Sequence, residues 1–307
     1  MMKLPAGWLA IADSKEIPNG KPIGIKRLGE WLVLWRDSQG RVIVQLDKCP
    51  HRSAKLSLGS VTENTITCPY HGFQFAPDGT CRLVPETGRG AVNLKVRNYA
   101  VREEHGFIWV WHEAEAGPIG DPPWFDNIDS KFCYSQLTRT WPTHITRCIE
   151  NQIDYTHLPF VHKQTIGRES NPQQKPVITL DGERIRIQVN PSESESGFLE
   201  LRLPNIWQLC ISARLSLVIA FAPVDEQATT LYLRTYQKFL TAPVLREFAG
   251  WIMNFSNSVI LNQDKAVVLS QWPSNAVDGD VGESLFPSDK AIEYFRRQWS
   301  NGFTSNK

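Results

Sequence analysis

Two pairs of cysteine and histidine are the residues of this sequence best suited to chemistry. Cys49 and His51 lie two residues apart, Cys68 and His71 lie three apart, and a proline directly follows each cysteine. Each segment therefore offers one thiolate and one imidazole, and both groups bind transition metals. The pattern predicts two short loops that hold one metal centre between them.

Two kinds of metal centre use this set of ligands. A structural zinc site also uses two cysteines and two histidines, but a zinc finger usually takes its cysteines from one loop and its histidines from another. In a Rieske [2Fe–2S] centre two thiolates bind one iron and two imidazoles bind the other, which suits two loops that each offer one of each. Such a cluster has a potential of roughly −150 to +300 mV and passes single electrons. We therefore predict a Rieske cluster at Cys49, His51, Cys68 and His71, with zinc as the alternative.

A second group of candidate ligands lies in the segment IENQIDYTHLPFVH, residues 149–162. The pattern predicts a helix after Pro142 that Pro159 ends, so that Asp154 and His157 share one helical face. Beyond Pro159 the chain can turn back and bring His162 towards His157. Two histidines and one carboxylate with open positions are the ligands of non-haem Fe(II) oxygenases.

The carboxylate of this second site must come from elsewhere or from Asp154. Asp264 lies in a predicted helix with apolar residues three and four positions away on both sides. A buried, unpaired carboxylate is costly, and metal coordination would remove that cost. We predict Asp264 as the third ligand, although spacing alone leaves Asp154 as an alternative. Ordinary salt bridges or core histidines are the other reading of these residues.

The remaining histidines and cysteines show no partner pattern, and we expect ordinary structural roles for them. They are His105, His112, His144, Cys81, Cys133, Cys148 and Cys210. Without a secretion signal a disulfide framework is not expected.

The elements that must position these residues fall into two regions. Short strand-like runs fill the chain from Gly7 to about His112, and a segment rich in glycine and proline follows at 113–123. Beyond it we expect a strand, the helix described above, a hairpin at an Asp-Gly turn, further strands, and a long amphipathic helix from Pro243 to about Trp272. This order predicts an α+β protein with domains at 1–117 and 118–307.

Composition excludes several classes of protein. Hydrophobic residues make up 41% of the 307, charged residues make up 21%, and the net charge is +1. This balance favours neither a disordered chain nor a nucleic-acid-binding surface. The longest apolar runs fall short of the roughly 20 residues of a membrane helix. The start of the sequence lacks a signal peptide pattern, so we expect a cytoplasmic protein.

In combination these motifs resemble the Rieske non-haem iron oxygenases, and in particular their catalytic α subunits. The motifs are Cys49-x-His51, Cys68-x-x-His71, Asn151-x-x-Asp154-x-x-His157-x4-His162 and Asp264, in the family's order along almost the whole chain. The resemblance implies an N-terminal antiparallel β Rieske domain and a C-terminal helix-grip catalytic domain, a curved antiparallel sheet around a long helix. It also implies that Asp154 bridges His157 to His71 of a neighbouring subunit, usually in a homotrimer.

The resemblance further implies an enzyme with a [2Fe–2S] cluster and a mononuclear Fe(II). Such an enzyme acts on a small to medium organic substrate with O2 and with electrons from a separate ferredoxin or flavin reductase. Because the sequence lacks a dinucleotide-binding fingerprint, NAD(P)H would act only through that reductase. The modest length favours a monooxygenase that hydroxylates or demethylates. A ring-dihydroxylating dioxygenase is the alternative, and a Rieske electron carrier is a remote one. Substrate-facing aromatic residues could include Phe160, Trp207, Phe221 and Phe255, which could equally be core.

Overall fold

In a computed structural model of the protein, the structure describes residues 2–112, 117–118, 120–168, 170–189, 196–277 and 281–301. The chain divides into two compact units, one of Met1–Lys3 with Gly7–Pro122 and the other of Leu4–Ala6 with Pro123–Lys307. The irregular segment predicted at 113–123 falls partly outside the described residues.

Antiparallel strands dominate the first unit, which also contains two short 3-10 turns, Ser14–Glu16 and Leu56–Leu58. Its strands are β1 (Gly7–Asp13), β2 (Ile23–Arg27), β3 (Glu30–Arg36), β4 (Val42–Leu46), β5 (Ser60–Thr62), β6 (Thr65–Thr67), β7 (Gln74–Phe75), β8 (Thr80–Val84), β9 (Arg89–Lys95), β10 (Val101–Glu104) and β11 (Phe107–His112). They form three sheets in the orders β1-β11-β10, β2-β3-β4 and β5-β6-β7-β8-β9.

The core of the first unit surrounds the candidate cluster loops. Strand β3 reads EWLVLWR, and its four central residues are fully buried because both of its faces are covered. Trp35 on this strand packs in one apolar cluster with Phe75, Cys49 and Cys68. The two cysteines are therefore held by a packed core rather than by a mobile surface loop.

The second unit contains one antiparallel sheet of seven strands, in the order β12-β18-β17-β16-β15-β14-β13. The strands are β12 (Cys133–Trp141), β13 (Val177–Asp181), β14 (Arg184–Gln188), β15 (Phe198–Arg202), β16 (Ile206–Ser212), β17 (Leu215–Asp225) and β18 (Ala228–Gln237). The helices are α1 (Ile145–Ile153), α2 (Leu158–Val161), α3 (Pro243–Val268) and α4 (Lys290–Ser300), and a 3-10 turn, Pro287–Asp289, precedes α4. The antiparallel sheet and the long helix confirm the predicted α+β class.

The predicted hairpin and long helix are present. Strands β13 and β14 pair with Asp181 opposite Arg184, and Gly182 in the turn has a φ of 52°. Helix α3 packs on β12 and β18, where Gly250 lies against Ser135 and the Asn254 side-chain amide donates to the Gln136 carbonyl. Small and polar side chains on this face allow the helix to approach the sheet closely.

The face of α3 that packs on the sheet differs from the prediction. The helical spacing of the apolar residues, Phe248 and Phe255 among them, predicts that their side of the amphipathic helix packs on the sheet, but these two side chains are 62% and 66% exposed. Hydrophobic spacing identifies a face of a helix, but here the small and polar face meets the sheet. Among the described residues no helix is long and apolar enough to cross a membrane.

The helix expected to reach Pro159 also ends earlier. Helix α1 stops at Ile153, and Asp154 follows it in an extended conformation. Asp154 Oδ1 accepts from the Thr156 N–H at 2.7 Å, a local bond that competes with helix continuation. Pro159 lies in the first turn of α2, where its missing N–H costs nothing. Asp154 and His157 therefore share no helical face.

Candidate active site

The two loops of the first unit have the same backbone hydrogen-bond pattern. The Cys49 N–H donates to the Ala54 carbonyl at 2.8 Å, and the Ser53 N–H donates back to the Cys49 carbonyl at 2.8 Å. In the second loop the Cys68 N–H donates to Phe73 at 2.8 Å, and the Gly72 N–H donates to Cys68 at 3.1 Å. Each loop is thus a tight turn that begins at its cysteine.

The four candidate cluster ligands come together between these turns. Both thiols are buried, and burial together with the neighbouring Cys68 thiol raises the pKa of Cys49 to about 11. The His51 and His71 ring centroids lie 4.7 Å apart, and His71 Nδ1 is buried with no hydrogen-bond partner among the described residues. Paired thiols, paired imidazoles and one orphaned ring nitrogen fit the donor set of a Rieske [2Fe–2S] cluster.

In the second unit His157, His162 and Asp264 converge. One ligand atom from each residue lies within 4.8 Å of the others. Asp264 Oδ1 is 2.9 Å from His162 Nε2 and 3.5 Å from His157 Nε2. Two imidazoles and one carboxylate around a common point fit a mononuclear iron with open positions.

A short helix creates this convergence. His157 precedes α2 as its N-cap and His162 follows it as its C-cap, with the His162 N–H donating to the Leu158 carbonyl at 3.0 Å. Asp264 approaches from the last turns of α3. The sequence predicted a turn back after Pro159, whereas a helix of four residues separates the two histidines.

Oxygen acceptors face the other nitrogen of each histidine. His162 Nδ1 donates to Gln263 Oε1 at 2.8 Å, which makes Nε2 the ring nitrogen that a metal can bind. Asp154 Oδ2 lies 3.5 Å from His157 Nδ1. Asn151 Nδ2 donates to Asp264 Oδ1 at 3.3 Å. Sequence reasoning missed Gln263, although its place directly before Asp264 on the same helix was a usable signal.

The charges at this site are tightly linked. Burial lowers the pKa of His157, but the Asp154 and Asp264 carboxylates, each 3.5 Å from a ring nitrogen, outweigh burial and raise it to about 9. Burial raises the pKa of Asp264, but the two histidines outweigh burial and lower it to about 2. The carboxylate is thus ionised and lies against two imidazoles, an arrangement in which a metal cation can replace the imidazole protons.

An apolar cavity of about 470 Å³ adjoins the three residues. Leu209, Leu217, Ile219, Leu233, Met253 and Ile260 are among its lining residues. Trp207 also lines the cavity, whereas Phe160, Phe221 and Phe255 are not among the described lining residues. Phe221 is fully buried in the core, and the other two are 66% exposed.

Four ion pairs anchor helix α1 beside this site. Arg147 and Arg296 each bind both Glu150 and Glu283, which closes a ring of alternating charge. Arg147 also donates to the Pro273 carbonyl at 2.9 Å. The ring ties α1 to α4 and to the chain before it, and it thereby fixes the helix end from which Asp154 projects.

Comparison with known proteins supports the assignment of both units. A family model described as the Rieske [2Fe-2S] domain matches residues 7–100. Methylxanthine N1-demethylase NdmA from Pseudomonas putida is 28% identical over 297 residues, which cover 91% of this chain and 81% of that protein. The NdmA structure aligns with a TM-score of 0.81 at 25% identity and covers 97% of this chain and 93% of its own.

Other relatives match over shorter stretches. The iron-sulfur subunit TsaM1 of the toluene-4-sulfonate monooxygenase system from Comamonas testosteroni is 32% identical over 57% of this chain. Protein TIC 55 from Arabidopsis thaliana chloroplasts is 30% identical over 56% of this chain. The matched stretch spans 51% of TsaM1 and 33% of TIC 55. The likeness to NdmA continues through the second unit, so this chain has a Rieske [2Fe-2S] domain and is similar over both units to the Rieske non-haem iron oxygenases.

Proposed function

We propose that this protein is the oxygenase component of a system with a separate ferredoxin or flavin reductase. It uses O2 and the electrons of that partner to hydroxylate, or oxidatively demethylate, an organic substrate, and it acts in the cytoplasm. One observation carries this proposal: His157, His162 and Asp264 converge beside an apolar cavity in a chain that also has a Rieske domain. An electron carrier would need neither the three ligands nor the cavity.

Each metal group has its own set of residues in this proposal. Cys49 and Cys68 would hold one iron of the [2Fe–2S] cluster, and His51 and His71 would hold the other. The three residues of the second unit would hold a mononuclear Fe(II). When bound, the cluster supplies single electrons and the mononuclear iron activates O2.

The surrounding side chains prepare the iron site. Gln263 accepts the Nδ1 proton of His162, so that Nε2 points at the same position as the Asp264 carboxylate. Asp154 faces His157 from the opposite side to Asp264, which supports Asp264 rather than Asp154 as the carboxylate ligand. The apolar walls would exclude water and hold the substrate beside His157, His162 and Asp264.

Asp154 has a second role in this proposal. Its side chain is 26% exposed, although it adjoins His157, whose side chain is only 16% exposed. A group from outside the chain can therefore reach Asp154. We propose that His71 of a neighbouring copy approaches it, so that the electron path runs between subunits of a homotrimer.

Metal content tests the proposed iron site. Anaerobically purified protein should contain about three irons and two acid-labile sulfides per chain, with a Rieske-type EPR signal after reduction. His157→Ala should lower the iron to about two, keep the EPR signal and abolish product formation. His105→Asn is the matched control, because His105 lies in a turn at a φ of 55° that asparagine tolerates. Product formation by the His157→Ala protein would refute the site.

A kinetic experiment tests the proposed electron path through Asp154. Asp154→Asn should leave both metal centres loaded and slow the reoxidation of the reduced cluster by O2 and substrate. Stopped-flow absorbance of the cluster measures this rate. Reoxidation at the wild-type rate would show that Asp154 does not connect the two centres.

A further inference from the structure

The charge of the cavity beside the proposed iron site limits which substrates can bind there. No lysine or arginine is among its described lining residues, and its ionisable lining residues are Asp154, His157, His162 and Asp264. The two carboxylates balance the charge of a bound Fe(II). A substrate carboxylate or sulfonate would thus find no lysine or arginine partner among the described lining residues, and an unpaired buried charge is costly.

Apart from these four ionisable residues, the polar side chains of the described wall are uncharged. Thr235, Ser256 and Asn257 line the cavity together with the amides of Asn151 and Gln152. Asn257 Nδ2 donates to Thr235 Oγ1 at 2.9 Å, which fixes the orientation of that amide. Amides and hydroxyls can bind a carbonyl, ether or hydroxyl group of a neutral molecule.

The volume limits the size of the substrate. A dry apolar cavity of about 150 Å³ holds one benzene ring. The cavity here measures about 470 Å³, roughly three times that volume. Two or three fused rings would fill it, whereas a single ring would leave much of the apolar wall without contact.

We propose that the substrate is a neutral, largely apolar molecule of two to three fused rings. This inference rests on the proposed function, because it assigns the cavity to the substrate of that reaction. It separates this protein from the TsaM1 system, whose named substrate, toluene-4-sulfonate, is a single-ring anion.

Equilibrium dialysis of the anaerobic holoenzyme tests charge and size by binding alone. The probes are 2-methoxynaphthalene, methyl 6-methoxy-2-naphthoate, the free 6-methoxy-2-naphthoate anion and the single-ring 4-methylanisole. The anion should bind at least about 100-fold more weakly than its methyl ester at pH 7.5. 4-Methylanisole should bind at least about tenfold more weakly than 2-methoxynaphthalene. An anion that binds as tightly as the ester, or a single ring that binds as tightly as two, would overturn the inference.

A variant establishes that the probes bind in the cavity. Leu217→Phe adds bulk to the cavity wall and should weaken binding of the ester. Val92→Phe, at a fully exposed position of the first unit, is the control and should leave binding unchanged. Unchanged binding to the Leu217→Phe protein would place the probe elsewhere and refute the inference.

Adding O2 and reductant in a second step separates the two proposals. Preferential binding of neutral probes without any product would refute the proposed oxygenation and leave the inference about the cavity intact. If the anion binds as tightly as the ester and is oxidised, the inference about the cavity is refuted and the proposed oxygenation is kept.

Discussion

The orientation of His162 depends on one neighbouring side chain. Gln263 Oε1 accepts the Nδ1 proton at 2.8 Å, and it also accepts from the Thr165 hydroxyl at 3.2 Å. His162 itself is only 1% exposed, so water cannot readily replace this acceptor. Gln263→Leu would keep a side chain of similar size and remove the acceptor.

The expected loss follows from the buried donor that this change creates. A buried donor without a partner costs about 1–3 kcal/mol, which corresponds to about 5-fold to 150-fold in an equilibrium constant. Groups that orient a metal-bound histidine typically change metal affinity by about 10-fold to 100-fold. We therefore expect Gln263→Leu to weaken Fe(II) binding at the mononuclear site by about 10-fold to 100-fold.

Competition with a chromogenic chelator measures this affinity, and acid-labile sulfide monitors the cluster in the same sample. Gln263→Glu keeps an acceptor and should bind Fe(II) nearly as well as the wild type. Asn262→Leu changes the exposed preceding residue of the same helix and should have no effect. Wild-type affinity in Gln263→Leu would refute the argument that this hydrogen bond selects the metal-binding nitrogen.

Two other changes test the loop packing beside the proposed cluster and the ion-pair ring beside the proposed iron site. Gly59→Ala would place a Cβ 1.9 Å from the carbonyl oxygen of Thr67, the residue directly before Cys68. We expect the acid-labile sulfide content of this variant to fall well below the wild-type value. A wild-type sulfide content would show that the loop tolerates the added Cβ. Glu150→Gln would remove an anion beside Arg147, which is 1% exposed, and should lower the free energy of unfolding by about 3 kcal/mol in urea titrations. Glu283→Gln, at a side chain that is 29% exposed, should cost less, and an equal loss would contradict the burial argument.

Local sequence predicted the strands of the first unit well, because turn residues bound each short apolar run. The run EWLVLWR coincides with β3, and TCRLV coincides with β8. The end of α1 was predicted less well. Helical spacing continues past Ile153, and only the hydrogen bond from Thr156 to Asp154 shows why the chain leaves the helix there. In the sequence, the pair Asp154 and Thr156 indicates the end of a helix only weakly, and Pro159 indicates it more strongly.

Helix α3 shows a different limit of sequence reasoning. Its length and apolar period were clear, but the period does not reveal which face meets the sheet. Gly250 and Asn254 occupy the sheet side, and the apolar stripe that contains Phe248 and Phe255 is exposed on the chain. The side of this helix that packs on the sheet is therefore determined by its close contacts with β12 and not by its hydrophobicity.

Two of the buried carboxylates of the second unit lie in different kinds of site, and their partners distinguish the chemistry of the two sites. Glu150 and Asp264 are 4% and 2% exposed, and each lies against two basic side chains. The partners of Glu150 are arginines, which do not release their protons, so that site holds a fixed ion-pair ring. The partners of Asp264 are histidines, which can exchange a proton for a metal near neutral pH. The cost of burying a carboxylate therefore identifies both sites, and the basicity of the neighbours determines which one can hold a metal.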